Sequence, residues 1–459
     1  MTEPIKLQQT DLLGTTTVFI IIPFSTGATT AVDYTRPDFG EWYVYGQEVS
    51  RESSRQVRLT EPLSESLLRQ LLDKDQEIYH EAQIKKNPFT RGLITQVGYA
   101  NEALAGVDLK ILVTYHSDGI GTAVLINTLP SMTVQAYFEV IKQLQEWWDQ
   151  PLTGVAPATM QAYLSTLFRV EKGRKKEQVR VTWGEEYPFF SLGGAEVPIG
   201  PLQEFVENNK AFVYGMTHQD YSYSGWQRIR DDVLDTLLDR DLSRRKEYSL
   251  YLTDVAMLEI DGDSRRDFIA TWAKRRNTTE GNMRIKLLFE RVQLLELLLT
   301  QRFILQDIEA NIQEYDISAK TPIHQLVQLK NKINAALSDY YYANTMTRQH
   351  VSGIEWVTYG QRRLHLEELL EHIKNRMELI ESSQQIKNDF NNMRGNYTFQ
   401  LISILLGSSA VVSVVDVLIQ FPFLEGTWFA ANALWVKGFV YILFLVVILI
   451  LTIRYSKDR

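Results

Sequence analysis

Apolar positions in the first half of the chain fall into short runs that are typical of β-strands. Four runs rich in β-branched and aromatic residues predict strands, and they are Thr15–Ile22, Glu41–Gly46, Ile111–Tyr115 and Thr122–Ile126. The last two are joined by a segment with an Asp-Gly dipeptide, which favours a hairpin turn. Helical patterns occur near residues 65 and 140. Residues 1–225 are therefore predicted to form a mixed α and β regulatory domain.

From about Trp226 the apolar positions repeat at spacings of three and four, the period of an α-helix. Three such series predict helices whose seams pack on partners. They are Ile285, Leu288, Val292, Leu295 and Leu299, then Leu305, Ile308, Ile312 and Tyr315, and finally Leu366, Leu370, Ile373, Met377 and Ile380. No proline occurs between Pro322 and Pro422. We therefore expect one long helix from about Val357 to Ile419, with a weak point at Gly395.

Two long apolar segments near the C-terminus, Tyr397–Ile419 and Trp435–Ile453, are each close to the ~20 residues that a membrane-spanning helix needs. They predict a transmembrane hairpin. The chain then divides into a regulatory domain (1–225), a helical stalk (226–395) and a hairpin with a basic tail (396–459).

The N-terminus lacks the pattern of a secretory signal. Lys and Arg flank the two apolar segments and are absent from the connection between them. The positive-inside rule then predicts an inner (plasma) membrane protein with both termini in the cytoplasm.

The composition excludes several classes of function. The net charge of −8 and the pI near 5.6 argue against direct DNA binding. The chain has no cysteine, which excludes disulfides and thiol nucleophiles. It also lacks a phosphate loop, a nucleophile elbow and a zinc-protease motif. We therefore expect a protein that is not an enzyme and has no certain cofactor.

Two polar patterns in the stalk suggest ligands. Asp231, Asp235 and Asp239 recur every fourth residue and could hold Mg²⁺ or another divalent cation through water, although a solvated face paired with nearby arginines is favoured. The second pattern is a pair of basic triplets near a few aromatic residues, which could take a small nucleotide: Arg244, Arg245, Lys246, Lys274, Arg275 and Arg276, with Tyr221, Tyr223 and Trp226. Solvated loop charges are again the favoured interpretation.

A face of small and polar residues runs along the first apolar segment: Asn396, Gln400, Ser403, Gly407, Ala410, Ser413, Asp416 and Gln420. Inside a membrane, such a face either packs on another helix or lines water. Pore lining is favoured, because a carboxylate such as that of Asp416 is costly unless it faces protein or water. Two spans cannot enclose a pore alone, so several subunits are required.

The plan of an α/β domain, a long stalk helix, two spans and the basic tail RYSKDR resembles the CorA-like divalent-cation transporter superfamily. The signature Gly-Met-Asn of that family is missing, and VVDVLIQFPFLEG stands in its place. The resemblance implies an α+β domain followed by stalk helices and a transmembrane hairpin, assembled as a homopentamer in membrane lipid. It also implies metal-ion transport, with magnesium as the family's ion.

Three functions follow from this plan. The first is a CorA-like channel or transporter for cations, gated through the regulatory domain. The second is a membrane effector of an antiviral, CRISPR type III-like system, gated by a nucleotide messenger. The third is a non-conducting, membrane-anchored scaffold or sensor.

Overall fold

The computed structural model describes most of the chain, in segments. They are residues 6–26, 31–32, 39–45, 67–79, 88–116, 119–155, 159–172, 175–178, 181–195, 199–221, 228–237, 241–243, 245–314, 324–325, 327–331, 333–334, 337, 351–419, 428–432, 434–439, 442–443 and 446. Contacts between Cα atoms divide the chain into two units. The first unit holds residues 1–314 and 331–374, and the second holds residues 315–330 and 375–459. The predicted domain boundaries at 225 and 395 stay predictions.

The strands, in chain order, are β1 (Leu12–Leu13), β2 (Thr16–Ser25), β3 (Ala31–Val32), β4 (Phe39–Tyr45), β5 (Phe89–Ile94), β6 (Gly98–Tyr99), β7 (Asp108–His116), β8 (Ile120–Leu129), β9 (Met132–Thr133), β10 (Leu152–Thr153), β11 (Phe168–Lys172), β12 (Lys175–Gln178), β13 (Thr182–Trp183), β14 (Tyr187–Leu192), β15 (Tyr248–Leu252) and β16 (Met257–Asp261).

The helices are α1 (Leu67–Ile78), α2 (Val134–Gln145), α3 (Met160–Thr166), α4 (Leu202–Asn208), α5 (Lys210–Thr217), α6 (Asp231–Leu237), α7 (Asp263–Arg276), α8 (Glu280–Glu314), α9 (Val351–Arg363), α10 (Leu366–Ile419) and α11 (Trp428–Ala431). Short 3-10 turns lie at Glu102–Leu104 and Trp147–Asp149.

One large sheet organises the first unit. Its strands lie in the order β15-β16-β14-β2-β8-β7-β5-β4, and β13 pairs with β2 off this path. Neighbouring strands are antiparallel except β14 and β16, which are parallel. The predicted strands at Thr15–Ile22, Ile111–Tyr115 and Thr122–Ile126 are confirmed, and the last two form the predicted hairpin. Its turn contains Gly119 at φ 92°, a conformation that glycine adopts without strain.

Side chains alternate between the two faces of the sheet. One face forms the main apolar core with α2–α5, as shown by buried Ile20, Leu125, Phe190, Leu258 and Ile260. The alternate residues point to the opposite face, which α8 covers. Helix α8 is buried on nearly all sides between Val292 and Leu299, because it contacts β2, β8, α1, α7 and α9. The predicted seam of Ile285, Leu288, Val292, Leu295 and Leu299 is confirmed as buried.

The predicted continuous helix from Val357 to Ile419 is wrong in one place. Helix α9 ends at Arg363 and α10 begins at Leu366, because His365 between them has a left-handed backbone with φ 57°. The helix then continues without interruption past Gly395, so the predicted weak point is not a break. Sequence periodicity did not predict this interruption, because the two residues between the helices, Leu364 and His365, are neither proline nor glycine.

The second unit exposes many apolar side chains. Leu379, Ile386, Met393 and Phe399 on α10 are 54%, 68%, 53% and 74% exposed. Trp428, Leu434, Trp435, Phe439 and Ile442 are each at least 60% exposed. These side chains leave a large apolar surface uncovered in a single chain.

The predicted transmembrane hairpin is corrected by this structure. Among the described residues, no helix combines the length and the apolar character needed to cross a membrane. The described residues form a mixed α/β fold in which no transmembrane hairpin is shown, so the predicted transmembrane character and inner-membrane location are not supported. The predicted ion transport and the contacts with membrane lipid are not tested and stay predictions. The prediction rested on apolar content alone. Helix α10 is unbroken through Tyr397–Ile419, but among the described residues it does not combine the length and the apolar character of a span. Much of the second predicted segment, and the basic tail, lie outside the described residues.

Candidate ligand pocket and the ion pairs behind it

A polar pocket opens where α4, α5 and α6 meet the edge strand β15. Its volume is about 480 Å³, within the range of small-molecule sites. Its lining is mostly polar and comprises Gln203, Val206, Glu207, Lys210, Asp235, Asp241, Ser249 and Tyr251. Local sequence positions these groups: Glu207 and Lys210 flank the Asn209 junction between α4 and α5, while Asp235 lies on α6.

Acidic groups outnumber basic ones in the pocket. The ammonium of Lys210 lies 2.5 Å from a carboxylate oxygen of Glu207 and 2.6 Å from one of Asp235. These bonds, first to Asp235 and then to Glu207, raise the pKa of Lys210, which therefore carries a full charge at neutral pH. Asp241 is the third carboxylate and has no basic partner among the described residues of the lining. In this described lining, three carboxylates thus face one ammonium.

Asp241 also holds the edge of the sheet. Its Oδ1 accepts hydrogen bonds from the backbone N–H of Ser243 at 2.7 Å and of Leu250 at 2.9 Å. Leu250 belongs to β15, so one pocket carboxylate is bonded directly to the edge strand. A ligand that draws Asp241 toward itself therefore competes with a bond to β15.

Strand β15 connects the pocket to the opposite face of the sheet. Ser249 and Tyr251 face the pocket, and the alternate residue Tyr248 faces the other way. The ring of Tyr248 lies 4.5 Å from the guanidinium carbon of Arg265 and 4.7 Å from that of Arg291, both within cation–π range. Arg291 belongs to α8.

Behind Tyr248 lies an arginine-rich cluster, which comprises Glu259, Asp261, Arg265, Arg284 and Arg291. The two carboxylates are two residues apart on β16 and so share one face; they are fully buried. Glu259 lies 2.8 Å from Arg265 and 2.8 Å from Arg291. Asp261 lies 3.0 Å from Arg265 and 2.5 Å from Arg284. Three arginines against two carboxylates give the cluster a surplus of one positive charge.

Burial raises the pKa of the Glu259 carboxyl and is the largest influence on it, while the charges of Arg291 and Arg265 lower that pKa. The guanidinium Nε of Arg284 has no hydrogen-bond partner among the described residues, although the side chain is only 5% exposed. The cluster is therefore held by charge pairing rather than by complete hydrogen bonding.

A carboxylate-rich cluster lies further along α8 and comprises Asp75, Arg91 and Glu296. Arg91 binds Asp75 through Nε at 3.1 Å and Nη2 at 3.2 Å. Its Nη1 donates to Glu296 at 2.7 Å. All three side chains are at most 5% exposed. Two carboxylates against one arginine give a surplus of one negative charge.

Hydrogen-bond donors surround these carboxylates. Strand register places Tyr43, Arg91, Thr114 and Thr122 in one row across β4, β5, β7 and β8. Tyr43 donates to Asp75 at 2.5 Å, and Thr122 donates to Glu296 at 2.6 Å. From α8, Gln293 donates to Asp75 at 2.6 Å. Glu296 therefore binds α8 to this row, and Gln293 binds α8 to Asp75 of α1.

Burial raises the pKa of Asp75 to about 6, against the lowering effects of Arg91 and of the hydrogen bonds from Tyr43 and Arg91. Burial and the neighbouring Asp75 charge also hold the pKa of Tyr43 well above its usual value. The tyrosine thus remains a neutral donor at physiological pH.

The predicted site residues have mixed outcomes. Of the Asp231, Asp235 and Asp239 series, Asp235 pairs with Lys210, the side chain of Asp231 is not described, and Asp239 lies outside the described residues. The described part of the chain contains no group of three or more His, Asp or Glu that could hold a metal ion. A divalent cation therefore stays a prediction.

The basic and aromatic residues predicted for a nucleotide are not gathered into one site. Tyr221 is buried beside Phe190, with ring centroids 6.1 Å apart, so its ring is not available to a base. Arg275 and Arg276 lie near the ring of Trp272, at 5.9 and 5.5 Å, in the last turn of α7. Arg245 lies 4.0 Å from Glu247. Tyr223, Trp226 and Arg244 lie outside the described residues, and the nucleotide ligand stays a prediction.

The residues predicted to line a pore lie on α10, apart from Gln420, which is outside the described residues. Ser403, Gly407 and Ser413 are exposed. The side chains of Asn396, Gln400, Ala410 and Asp416 are not described, so pore lining stays a prediction.

Sequence reasoning missed both buried clusters. One of them left a detectable signal in the sequence. Glu259 and Asp261 interrupt the otherwise apolar segment Met257–Asp261, and Arg284 and Arg291 are seven residues apart, beside the apolar seam of α8.

Comparison with known proteins adds no assignment: no family model, no curated protein and no solved structure matches the chain. The resemblance to CorA-like transporters is thus neither supported nor contradicted by relatives.

Proposed function

We propose that the protein is a ligand-responsive regulator, in which the polar pocket takes a small ligand and α8 receives the signal. The observation that carries this proposal is the alternation along β15. Ser249 and Tyr251 line the pocket, and Tyr248, which precedes Ser249, lies on the opposite face beside two arginines of the cluster behind it. A shift of β15 by a bound ligand is therefore transmitted to Arg291 on α8.

The chemistry of the pocket favours a cationic ligand. Three carboxylates and one ammonium give the described lining a net negative charge, and Asp241 has no cationic partner among those residues. The ring of Tyr251 and the hydroxyl of Ser249 add an apolar surface and a hydrogen-bonding group. A small organic amine satisfies this set, because its ammonium donates up to three hydrogen bonds to carboxylate oxygens.

Helix α8 is suited to receive the signal. It carries Arg284 and Arg291 of one cluster and Glu296 of the other, so the sheet is bonded to it at separate positions. It also contacts α9, where Leu298 packs against Gly360 closely enough that an added Cβ would lie 2.4 Å from its Cδ1. A displacement of α8 therefore reaches the C-terminal helices of the first unit.

Self-association is the second element of the proposal. Leu379, Ile386 and Met393 are spaced by seven residues on α10 and are all more than half exposed. A seven-residue apolar repeat is the pattern of helices that pair as coiled coils. A second copy of the chain supplies a matching stripe, in agreement with the predicted homo-oligomer. The predicted ion-channel function stays a prediction, since none of the described helices is long and apolar enough to span a membrane.

The ligand proposal is tested with 1,4-diaminobutane as the probe. We expect saturable heat in a calorimetric titration of the full chain, and a change in amide hydrogen exchange at Tyr248 and at Arg284–Glu296. Asp241→Asn should weaken the binding at least tenfold. Glu139→Gln, at an exposed carboxylate on α2 outside the pocket, is the matched control and should leave the binding unchanged.

Two results would contradict this proposal. Binding that survives Asp241→Asn would place the amine elsewhere. Binding that leaves the exchange of α8 unchanged would make the pocket a simple binding site without transmission. A parallel titration with Mg²⁺ distinguishes an organic amine from a metal ion.

Self-association is tested separately by sedimentation. Ile386→Glu inserts a charge into the apolar stripe and should shift the chain toward the monomer. Gln385→Glu introduces the same charge one residue away, off the stripe, and should leave the oligomer intact. An oligomer that tolerates both changes equally would exclude this stripe as the contact.

A further inference from the structure

Helix α7 ends in a group of cations beside an aromatic ring. Lys274, Arg275 and Arg276 form its last turn and are exposed. The guanidinium carbons of Arg275 and Arg276 lie 5.9 and 5.5 Å from the ring centre of Trp272, within cation–π range. Among the described residues, none of these three cations has a carboxylate within 4.0 Å. The last turn of α7 therefore presents positive charge that no described acidic side chain pairs.

A fourth cation, Lys286 of α8, lies beside this turn. It is partly buried, and no carboxylate of the described chain lies within 4.0 Å of its ammonium. Burial lowers the pKa of Lys286, and the charges of Arg276 and Lys74 lower it further, while Asp73 opposes them. The dipole of α7 favours cations in its own last turn, but it does not account for a lysine on the next helix. An anion bound here relieves the repulsion among these cations.

Two aromatic side chains give the same surface an apolar part. Phe268 and Trp272 are four residues apart on α7, with ring centroids separated by 5.7 Å. Phe268 is 46% exposed, more than any other large apolar side chain described in the first unit. Trp272 is partly buried and packs against Ile269, Ala273 and Met283, which hold its ring in place.

Helix α7 is firmly held behind this surface. Arg265, on its buried side, pairs with Glu259 at 2.8 Å and with Asp261 at 3.0 Å, and both carboxylates belong to β16. A surface on a rigid helix loses little conformational entropy when a partner binds. The exposed side chains form what we call the α7 surface, which comprises Phe268, Trp272, Lys274, Arg275, Arg276 and Lys286.

We propose that the α7 surface docks a short acidic segment of a partner protein that carries one large apolar side chain. Carboxylates of the segment pair with Arg275, Arg276 and Lys286, and its apolar side chain packs on Phe268. Aromatic residues and arginine are the residue types enriched at protein interfaces. The α7 surface shares no residue with the ligand pocket or with the stripe on α10, so it goes beyond the proposed function.

Carboxylates around the cations favour a short segment over a nucleic acid. Asp267 directly precedes Phe268, and Glu280 and Glu290 lie on α8 on either side of Lys286 in the sequence; all three carboxylates are exposed. A nucleic-acid strand carries one negative charge about every 3.4 Å, so it would extend from the four cations onto these carboxylates. A short acidic segment needs only the four cations.

The test uses the capped pentapeptide Glu-Glu-Phe-Glu-Glu and the full chain at low salt. Indole N–H resonances of the ¹⁵N-labelled chain report binding, and Trp272→Phe assigns the signal of Trp272. We expect the peptide to shift this signal saturably. Gln-Gln-Phe-Gln-Gln lacks the charges and Glu-Glu-Ala-Glu-Glu lacks the apolar side chain, so each should bind more weakly than the probe.

Variants of the chain locate the binding. Arg275→Gln combined with Arg276→Gln should weaken the peptide affinity at least tenfold, because both guanidinium partners are lost. Arg245→Gln combined with Lys246→Gln removes two exposed cations outside the α7 surface and should leave the affinity unchanged.

The apolar contact has its own pair of variants. Phe268→Ala should also weaken the peptide binding, whereas Leu12→Ala, at a side chain that is 41% exposed on β1, should not. Equal binding of the charged and uncharged peptides, or affinity that survives the double arginine change, would overturn the proposal. A Trp272 signal that no peptide moves would overturn it as well. Tighter binding of a single-stranded oligothymidylate than of the peptide would show that the surface takes nucleic acid instead.

Discussion

The two ionic clusters along α8 are built from the same residue types but carry opposite surplus charges. In the carboxylate-rich cluster, Arg91 is the single cation that the described part of the chain places against Asp75 and Glu296. In the arginine-rich cluster, each carboxylate has two arginines within 3.0 Å. The first cluster therefore depends on one side chain, whereas the second has redundant partners. Buried charges are costly when left unpaired, so the number of partners decides how much stability each cluster loses when one arginine is removed.

Removal of the single arginine should have the largest effect. Arg91→Met leaves two buried carboxylates without a cationic partner and should lower the free energy of unfolding by about 3–5 kcal/mol. Urea denaturation measures this loss of unfolding free energy. Arg69→Met, which removes an exposed arginine paired with Asp73 on α1, is the control and should cost less than about 1 kcal/mol. Similar losses in both variants would refute the dependence of the cluster on Arg91.

The second largest effect concerns the pH dependence of stability that Asp75 gives to the carboxylate-rich cluster. Asp75 titrates near 3.8 when unfolded and near 6 when folded, so the folded state holds the proton more tightly between these values. The associated stabilisation is complete below pH 3.8 and is lost as the pH rises through about 6. At 1.36 kcal/mol per pKa unit it amounts to about 3 kcal/mol.

Unfolding free energies between pH 4 and 7 check this sign. Asp75→Asn should flatten the profile relative to the native chain. Glu296→Gln should shift the loss of stability to lower pH, because the charge of Glu296 raises the pKa of Asp75. A profile that Asp75→Asn leaves unchanged would exclude Asp75 as the titrating group.

A smaller effect is expected when one arginine is removed from the redundant cluster. Arg284→Met leaves two carboxylates and two arginines, and Asp261 keeps its contact with Arg265 at 3.0 Å. The loss should be about 2 kcal/mol, the range of a hydrogen bond to a charged group. Urea denaturation of Arg284→Met and of Arg91→Met under the same conditions compares their two losses of unfolding free energy directly. If Arg284→Met proves as damaging as Arg91→Met, surplus charge is not the controlling factor.

The smallest effect concerns Tyr248, whose ring lies beside Arg265 and Arg291. Tyr248→Leu removes the aromatic face and should cost about 1 kcal/mol. Tyr248→Phe keeps the face and should cost less. Under the proposed function, Tyr248→Leu should also reduce the ligand-induced change in hydrogen exchange of α8. An undiminished change in that variant would place the transmission elsewhere.

Sequence reasoning succeeded where neighbours in the chain determine the structure. The β7–β8 hairpin follows from two β-rich runs and a short turn, and the α8 seam follows from spacings of three and four. Strands β15 and β16 were missed because Glu259 and Asp261 resemble solvated charges in a sequence. Only the fold reveals that arginines from two helices cover them.

The candidate site shows the same limit. Asp235 stood out because it belongs to a series of aspartates, but its partner Lys210 lies 25 residues away. Arg91 and Glu296 are 205 residues apart, so no local pattern connects them. The membrane hairpin was predicted from apolar content alone, and none of the described helices combines that content with the length of a span.

The placement of both clusters on α8 limits how that helix can move. Arg284, Arg291, Gln293 and Glu296 span 12 residues, which is about 18 Å of one straight rod. A slip by a single residue advances the helix by about 1.5 Å and turns it by about 100°, which would carry all four side chains away from their partners together. A slip of α8 by one residue therefore breaks these bonds together. Under the proposed function, a signal carried by such a slip has two levels rather than a continuous scale.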